Sequence, residues 1–217
     1  SYGRLGHGGT ENELEPVEVN LSESEKPIAV SLGDSHSCAV VEGGGVRCWG
    51  SNTYGEMGQS PSSAFLSPVN VTMVDGRRAV AISAGAYHTC ALIDNGSVNC
   101  WGRNDERQLG HIGSDSHEPV VSWYQPGKKA VSISAGDYNV CVVLESDEVR
   151  CWGSDSGGQV GDGDGSDRNS YAYFDSESPP VEVSVGVGHA CAILANGSVH
   201  CWGNNGQWQV TGKSDGH

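Results

Sequence analysis

Residues 90–102 read CALIDNGSVNCWG: two cysteines ten positions apart around an Asn-Gly turn, followed at once by Trp-Gly. The arrangement recurs in aligned segments that begin at Ser31 (SLGDSHSCAVVEGGGVRCWG), Ser83 (SAGAYHTCALIDNGSVNCWG), Ser134 (SAGDYNVCVVLESDEVRCWG) and Ser184 (SVGVGHACAILANGSVHCWG). The first cysteines, Cys38, Cys90, Cys141 and Cys191, are spaced by 52, 51 and 50 residues. A period near 50 made of short apolar stretches broken by turns is the signature of propeller blades or a β-solenoid. Stretches such as PVNVTMVDGRRAVAISAG, upstream of Cys90, alternate apolar and polar residues around a turn, and no stretch carries a helical apolar period. The expected fold is all-β, with antiparallel sheets.

The cysteine segment specifies a hairpin. With a three-residue loop Asp94-Asn95-Gly96, Ile93 faces Ser97, Leu92 faces Val98 and Cys90 faces Cys100. Such a loop is a type I turn followed by a left-handed residue, which favours Gly in third place. The third loop residue is Gly44, Gly96, Asp147 and Gly197 in the four repeats, and Asp is among the few other residues that tolerate that conformation. Alternation puts the cysteines on one face with Leu92 and Val98, and with Val40 and Val46, Val143 and Val149, or Ile193 and Val199 elsewhere. Directly opposed strand residues lie about 4.5 to 5.5 Å apart, within disulfide reach. The spacing therefore predicts Cys38–Cys48, Cys90–Cys100, Cys141–Cys151 and Cys191–Cys201, each contributing about 2 to 3 kcal/mol by loop-closure entropy. Equally spaced pairs with no cysteine left over imply an oxidising compartment, so an extracellular or cell-surface location is expected.

Charge excludes several classes. Among 217 residues, 12 are Lys or Arg against 27 Asp or Glu, a formal net charge of −15 that repels phosphate backbones and anionic membranes. The basic dipeptides Arg77-Arg78 and Lys128-Lys129 fall at the same place in successive repeats and read as solvated turns. No nucleic-acid partner is expected. No apolar run approaches the roughly 20 residues of a membrane span, so no membrane insertion is expected within this chain. Lacking an initiator Met and a signal-peptide core, the chain reads as a processed form or a piece of something longer.

The ordered set S-x-G-x-x-H-x-C-A-L, D-N-G-x-V, C-W-G-x-N and G-Q-L-G at this period resembles the repeat of the regulator of chromosome condensation family. The resemblance runs from YGRLGHG at Tyr2 to NNGQWQV near the C-terminus. The cysteine-paired form is similar to the extracellular repeats of crinkly-type receptor kinases. The family implies a β-propeller, commonly of seven blades with four antiparallel strands each. About four blades are expected here, as a partial or open propeller or part of a larger ring. Residues 1–30 would be a partial blade and leading strand, followed by units at 31–82, 83–133, 134–183 and a terminal blade at 184–217, all in a single repeat domain. Pro179-Pro180 is expected to disfavour an interior strand at the start of the last unit.

His36, His88 and His189 recur at one repeat position, with Asn139 in the third repeat. Equivalent side chains on different blades cannot converge on one ion, so a histidine bonding to loop backbone is the expectation. Trp49, Trp101, Trp152 and Trp202 read as inter-blade packing. Asp162, Asp164 and Asp167 offer hard oxygen ligands for calcium, but no bidentate Glu follows at the twelfth position, and an ordinary loop with no cofactor is the favoured reading. Sequons at Asn20, Asn70, Asn95 and Asn196 are glycosylation candidates, the last two at hairpin tips where Asn-Gly also serves the turn.

No catalytic motif stands apart from the repeat. The expected function is a non-enzymatic secreted or cell-surface structural or protein-interaction module, with contacts in variable loops such as GQSPSSAFLSP and GHIGSDSHEP. Protein partners, self-association through open blade edges and a place in an extracellular polymer or filament belong to that reading. A receptor ectodomain or secreted inhibitor is the alternative. Guanine-nucleotide exchange on a small GTPase is a third possibility, opposed by the cysteine pairs, which a reducing compartment would open. Denatured, unreduced protein should show no thiol reactive toward an alkylating reagent and all 8 after reduction; 8 before reduction would revive the exchange-factor reading.

Overall fold

A computed structural model describes residues 2–163, 170–172 and 178–206. Each repeat folds as a meander that starts at the inner strand. The first sheet comprises β1 (Pro27–Leu32), β2 (His36–Val41), β3 (Val46–Asn52) and β4 (Ser62–Val71), in that spatial order. β5 (Ala79–Ala84), β6 (His88–Ile93), β7 (Val98–Gly102) and β8 (Ser116–Trp123) form the second. The third holds β9 (Ala130–Ala135), β10 (Asn139–Leu144), β11 (Val149–Gly153) and β12 (Ser170–Ala172). Among the described residues the fourth sheet has β13 (Pro180–Val185), β14 (His189–Leu194) and β15 (Val199–Gly203). The inner strands begin at 27, 79, 130 and 180, four residues ahead of the serines on which the repeats were aligned.

Pro179-Pro180 is expected to disfavour an interior strand, and the strand that begins there, β13, stands at the edge of its sheet. Pro180 is the first residue of β13 and faces Leu194, as Pro27 opens β1 facing Val41. At a strand's first position a missing N–H costs no ladder bond.

The hairpins place Cys38, Cys90, Cys141 and Cys191 directly opposite Cys48, Cys100, Cys151 and Cys201, and disulfides join all four pairs across Cα separations of 4.0 to 4.1 Å. The third loop residue is left-handed in each hairpin, including Asp147 at φ 64°. The glycine after each tryptophan has a stricter reason. Gly50, Gly102, Gly153 and Gly203 lie at φ 105° to 108°, and a Cβ at Gly102 would stand 2.6 Å from the Tyr87 carbonyl oxygen. Only glycine lets the third strand close against the loop between the first two.

Neighbouring sheets pack face to face. Cys38, Val40, Val46 and Cys48 of the first blade meet Ala79, Ile82, Ala91, Ile93 and Trp101 of the second in one buried cluster. Cys90, Leu92, Val98 and Cys100 meet Ala130, Val140, Val142, Leu144 and Trp152, and Cys141, Val143, Val149 and Cys151 meet Val183 and Ala190. The disulfides therefore lie inside the joints between blades, and the array of four does not close on itself.

Each tryptophan also fastens its blade to the segment that leaves the blade before. Trp49 donates its indole N–H to the Arg4 carbonyl (2.9 Å), Trp101 to Glu56 (2.7 Å), Trp152 to Gln108 (3.0 Å) and Trp202 to Gln159 (2.8 Å). On the inner strands, Ser31, Ser83 and Ser134 accept from the backbone N–H of Ala84, Ala135 and Val185 in the following blade, at 2.9 to 3.0 Å.

His36 bonds across the joint to the next blade, not to its own loop backbone as expected. The His36 ring Nε2 donates to the Thr89 hydroxyl of the next blade (2.8 Å), and that hydroxyl in turn donates to the Glu56 carbonyl. In the next joint the position of Thr89 is taken by Val140, which has no hydroxyl, and neither ring nitrogen of His88 finds a partner among the described residues. Burial pushes the His36 imidazole down to about 4 and His88 down to about 3.

Both rings stay neutral in the fold while the unfolded chain would protonate them near 6.5, so stability is full above pH 6.5 and falls as pH drops toward 4 and then 3. Denaturant melts between pH 7 and 4 should show a loss on the order of 3 kcal/mol from His36 alone, largely removed in His36→Gln.

Candidate protein-interaction face

The loop between the first two strands of each blade and the segment just beyond the third strand emerge at the same end of the sheet. Backbone bonds lock them together: Ser51 N–H to the Ser35 carbonyl, Arg103 to Tyr87, Ser154 to Tyr138 and Asn204 to Gly188, all at 2.8 to 2.9 Å. Side chains separated by about one repeat are thereby gathered on one surface.

Arg103 is its centre. Its guanidinium carbon stands 5.1 Å from the Tyr54 ring centroid, 5.5 Å from Tyr87 and 5.7 Å from Tyr138, so one cation touches aromatic rings from three successive repeats. Tyr54 and Tyr87 also meet edge to face at 5.4 Å. Asp105 closes an ion pair with Arg103. Asp34 and Asp137 flank the rings from the first and third blades, and burial together with the Asp34 carboxylate pushes the Asp137 carboxyl up. Three carboxylates against one guanidinium leave the face acidic. Tyrosine and arginine on a preformed surface are the residue types that dominate protein interfaces, because they bring large contact area at low ordering cost.

The sequence-predicted residues distribute elsewhere. The loops GQSPSSAFLSP and GHIGSDSHEP lead into the outer strands, where Asn52 donates to the Gln59 and Ser60 carbonyls and Asn104 to those of His111 and Gly113. Asn20, Asn70 and Asn196 are exposed, whereas Asn95 is half-buried; Asn95 and Asn196 each accept from the backbone N–H two residues on, the turn geometry expected of Asn-Gly. Asp162 is described, and Asp164 and Asp167 lie outside the described residues. Among the described residues no group of three or more His, Cys, Asp or Glu is placed to hold a metal ion. Among the described residues no helix is long and apolar enough to cross a membrane. Glu56 and Asp155 are buried carboxyls in tail segments; Glu56 accepts from Tyr54 N–H as Gln108 and Gln159 accept from Glu106 and Gly157, and burial pushes it up.

The Tyr–Arg cluster was not singled out in the sequence. Its signal is the residue before the repeat histidine, Tyr87 in GAYHT and Tyr138 in GDYNV, but convergence on Arg103 requires the blade-to-blade placement.

Comparison with known proteins agrees with this architecture. The regulator of chromosome condensation (RCC1) repeat matches at residues 28–56, 79–108, 130–159 and 181–207, and a second form of the repeat at 1–40, 43–92 and 95–143. The E3 ubiquitin-protein ligase HERC2 of Homo sapiens is 33% identical over 166 residues, 75% of this chain and 3% of that protein. The ultraviolet-B receptor UVR8 of Arabidopsis thaliana is 32% identical over 170 residues, 77% of this chain and 38% of that protein. The chain thus spans much less than the length of these relatives. Human WBSCR16 superposes with TM-score 0.81 at 19% identity, covering 94% of this chain and 55% of that one. The ectodomain of the Physcomitrella patens receptor kinase CR4 superposes with TM-score 0.56 at 23% identity, covering 82% of this chain and 42% of that one. The chain belongs to the regulator of chromosome condensation (RCC1) repeat family, as a propeller-type array of blades.

Proposed function

We propose that the chain is a non-enzymatic protein-interaction module, stapled by disulfides for use outside the reducing cytosol, whose Tyr–Arg face docks a basic segment of a partner protein. The observation that carries the reading is the convergence of Tyr54, Tyr87 and Tyr138 on Arg103 with Asp34, Asp105 and Asp137 around them. Cationic side chains would lie against tyrosine rings and between carboxylates, and the net charge of −15 would steer them in.

The disulfides support an extracellular or cell-surface setting, and the likeness of fold to a receptor ectodomain is in keeping with it. In that setting Asn20, Asn70 and Asn196, the last at its hairpin tip, are the accessible sequons, and Asn95 is more hindered. Self-association and a structural role in an extracellular assembly belong to the same reading. Guanine-nucleotide exchange gains no support from the disulfides, since they would be reduced where exchange factors work.

An arginine-rich peptide titrated calorimetrically against the chain should bind saturably and weaken with salt. Tyr87→Ala should cost about tenfold and the pair Asp34→Asn with Asp137→Asn about tenfold or more, while Glu182→Gln on the inner strand of the fourth blade should change little. Absence of binding at low salt, or equal losses for Glu182→Gln, would overturn the reading.

A further inference from the structure

We propose that a cleft at the tip of the second blade's hairpin is the seat of the first sugar of an N-linked oligosaccharide carried by Asn95. The proposal rests on the extracellular setting read above and is independent of the Tyr–Arg face.

The second blade has a neighbour packed on each of its faces, and the cleft opens where its β6–β7 hairpin meets the turn that leads into β5. Arg77 in that turn pairs with Asp94 beside the hairpin tip (2.9 Å), holding the two walls together around a volume of about 290 Å³. Along the hairpin stand Asn95, Ser97 and Asn99. Ser97 and Asn99, two apart in extended chain, project to one side as a polar edge of about 7 Å, the span of one pyranose ring. Ser97 gives both its backbone N–H and its hydroxyl to Asn95 Oδ1, at 3.0 and 2.7 Å. Nδ2, the atom that carries an N-linked sugar, is therefore the one outside that pair of bonds.

Asn99 is what asks for a ligand. It is 2% exposed, and its Oδ1 has no hydrogen-bond partner among the described residues. A buried acceptor without a donor is costly, and a sugar hydroxyl or acetamido N–H in the cleft would supply one. The first and third blades, which have no sequon at their tips, carry arginine at this position: Arg47 spans to Asn70 and Glu25, and Arg150 lies over the Trp123 ring. The second blade thus combines the shorter side chain with an acceptor asparagine four residues away. Val121, directly across from Asn99, and Tyr124 form the opposite wall and are 50% and 58% exposed. A pyranose offers its C–H face to such a wall and its hydroxyls to the amides and to the Asp75 carboxylate. Attachment forms a bond from Asn95 Nδ2 to the anomeric carbon of an oligosaccharide pyrophosphate donor; the carbon–oxygen bond to pyrophosphate breaks, and the amide gives up one proton. It precedes folding, because the tip is half-buried afterwards.

The test compares the full chain secreted from a eukaryotic host, its oligosaccharides trimmed to one N-acetylglucosamine, with the same chain made without glycans in an oxidising bacterial compartment. Asn20→Gln, Asn70→Gln and Asn196→Gln are present in every sample, so that one sugar is compared. Peptide mass mapping should find Asn95 occupied, and the single sugar should raise the melting temperature by about 2 to 4 °C. Tyr124→Ala removes an exposed ring, so the variant should fold, and it should cancel most of that gain. Both glycoforms should bind the arginine-rich peptide alike, which separates failure of the seat from failure of the docking face. An unmodified Asn95, a melt that the sugar leaves unchanged, or a gain that survives Tyr124→Ala would overturn the proposal.

Discussion

The indole N–H of one tryptophan per blade, donated to a backbone carbonyl 43 to 45 residues earlier, ties each blade to the chain leaving its predecessor. That bond governs what surrounds it. It holds the third strand of a blade beneath the tail of the one before, so the two sheets meet face to face and the disulfide face of one is buried on the inner and second strands of the next. Spanning a blade and returning to the tryptophan sets a repeat length near 50 residues. A single blade could not bury both its faces, so stability resides in the joints, in the manner of nearest-neighbour coupling along a repeat array. The cross-strand disulfides act inside that frame: they hold the two strands whose common face forms one side of every joint.

The joint also explains why the loop face is available for recognition. With the strands committed to packing between blades, the loops at one end are free of core duty, yet each is pinned by a backbone bond to the segment beyond the third strand. Rings from different blades therefore sit at one level, and Arg103 can stack against three of them. Rigid placement of Tyr and Arg on a rim of carboxylates would lower the ordering cost of the binding proposed above.

Much of this was legible in the sequence because it repeats. The offset of ten between cysteines and a third loop residue tolerant of positive φ set the hairpin register, and all four hairpins adopt it, down to Asp147 in the left-handed region. The repeat tryptophans read as packing residues, and Trp101, Trp152 and Trp202 do sit between blades. What misled was local chemistry that depends on position. His36 reads as a loop ligand until Thr89 is found one blade away. The Tyr–Arg cluster escaped because its members lie on different repeats, where periodicity announces equivalence and conceals contact.

Native-state hydrogen exchange, resolved strand by strand, tests most directly whether joints carry the stability. Strands β6 and β10, flanked by joints on both sides, should exchange slowest, and β14, with one joint, markedly faster at concentrations where the chain is monomeric. Equal protection in all blades, or greater protection in β14 than in β6, would contradict the account.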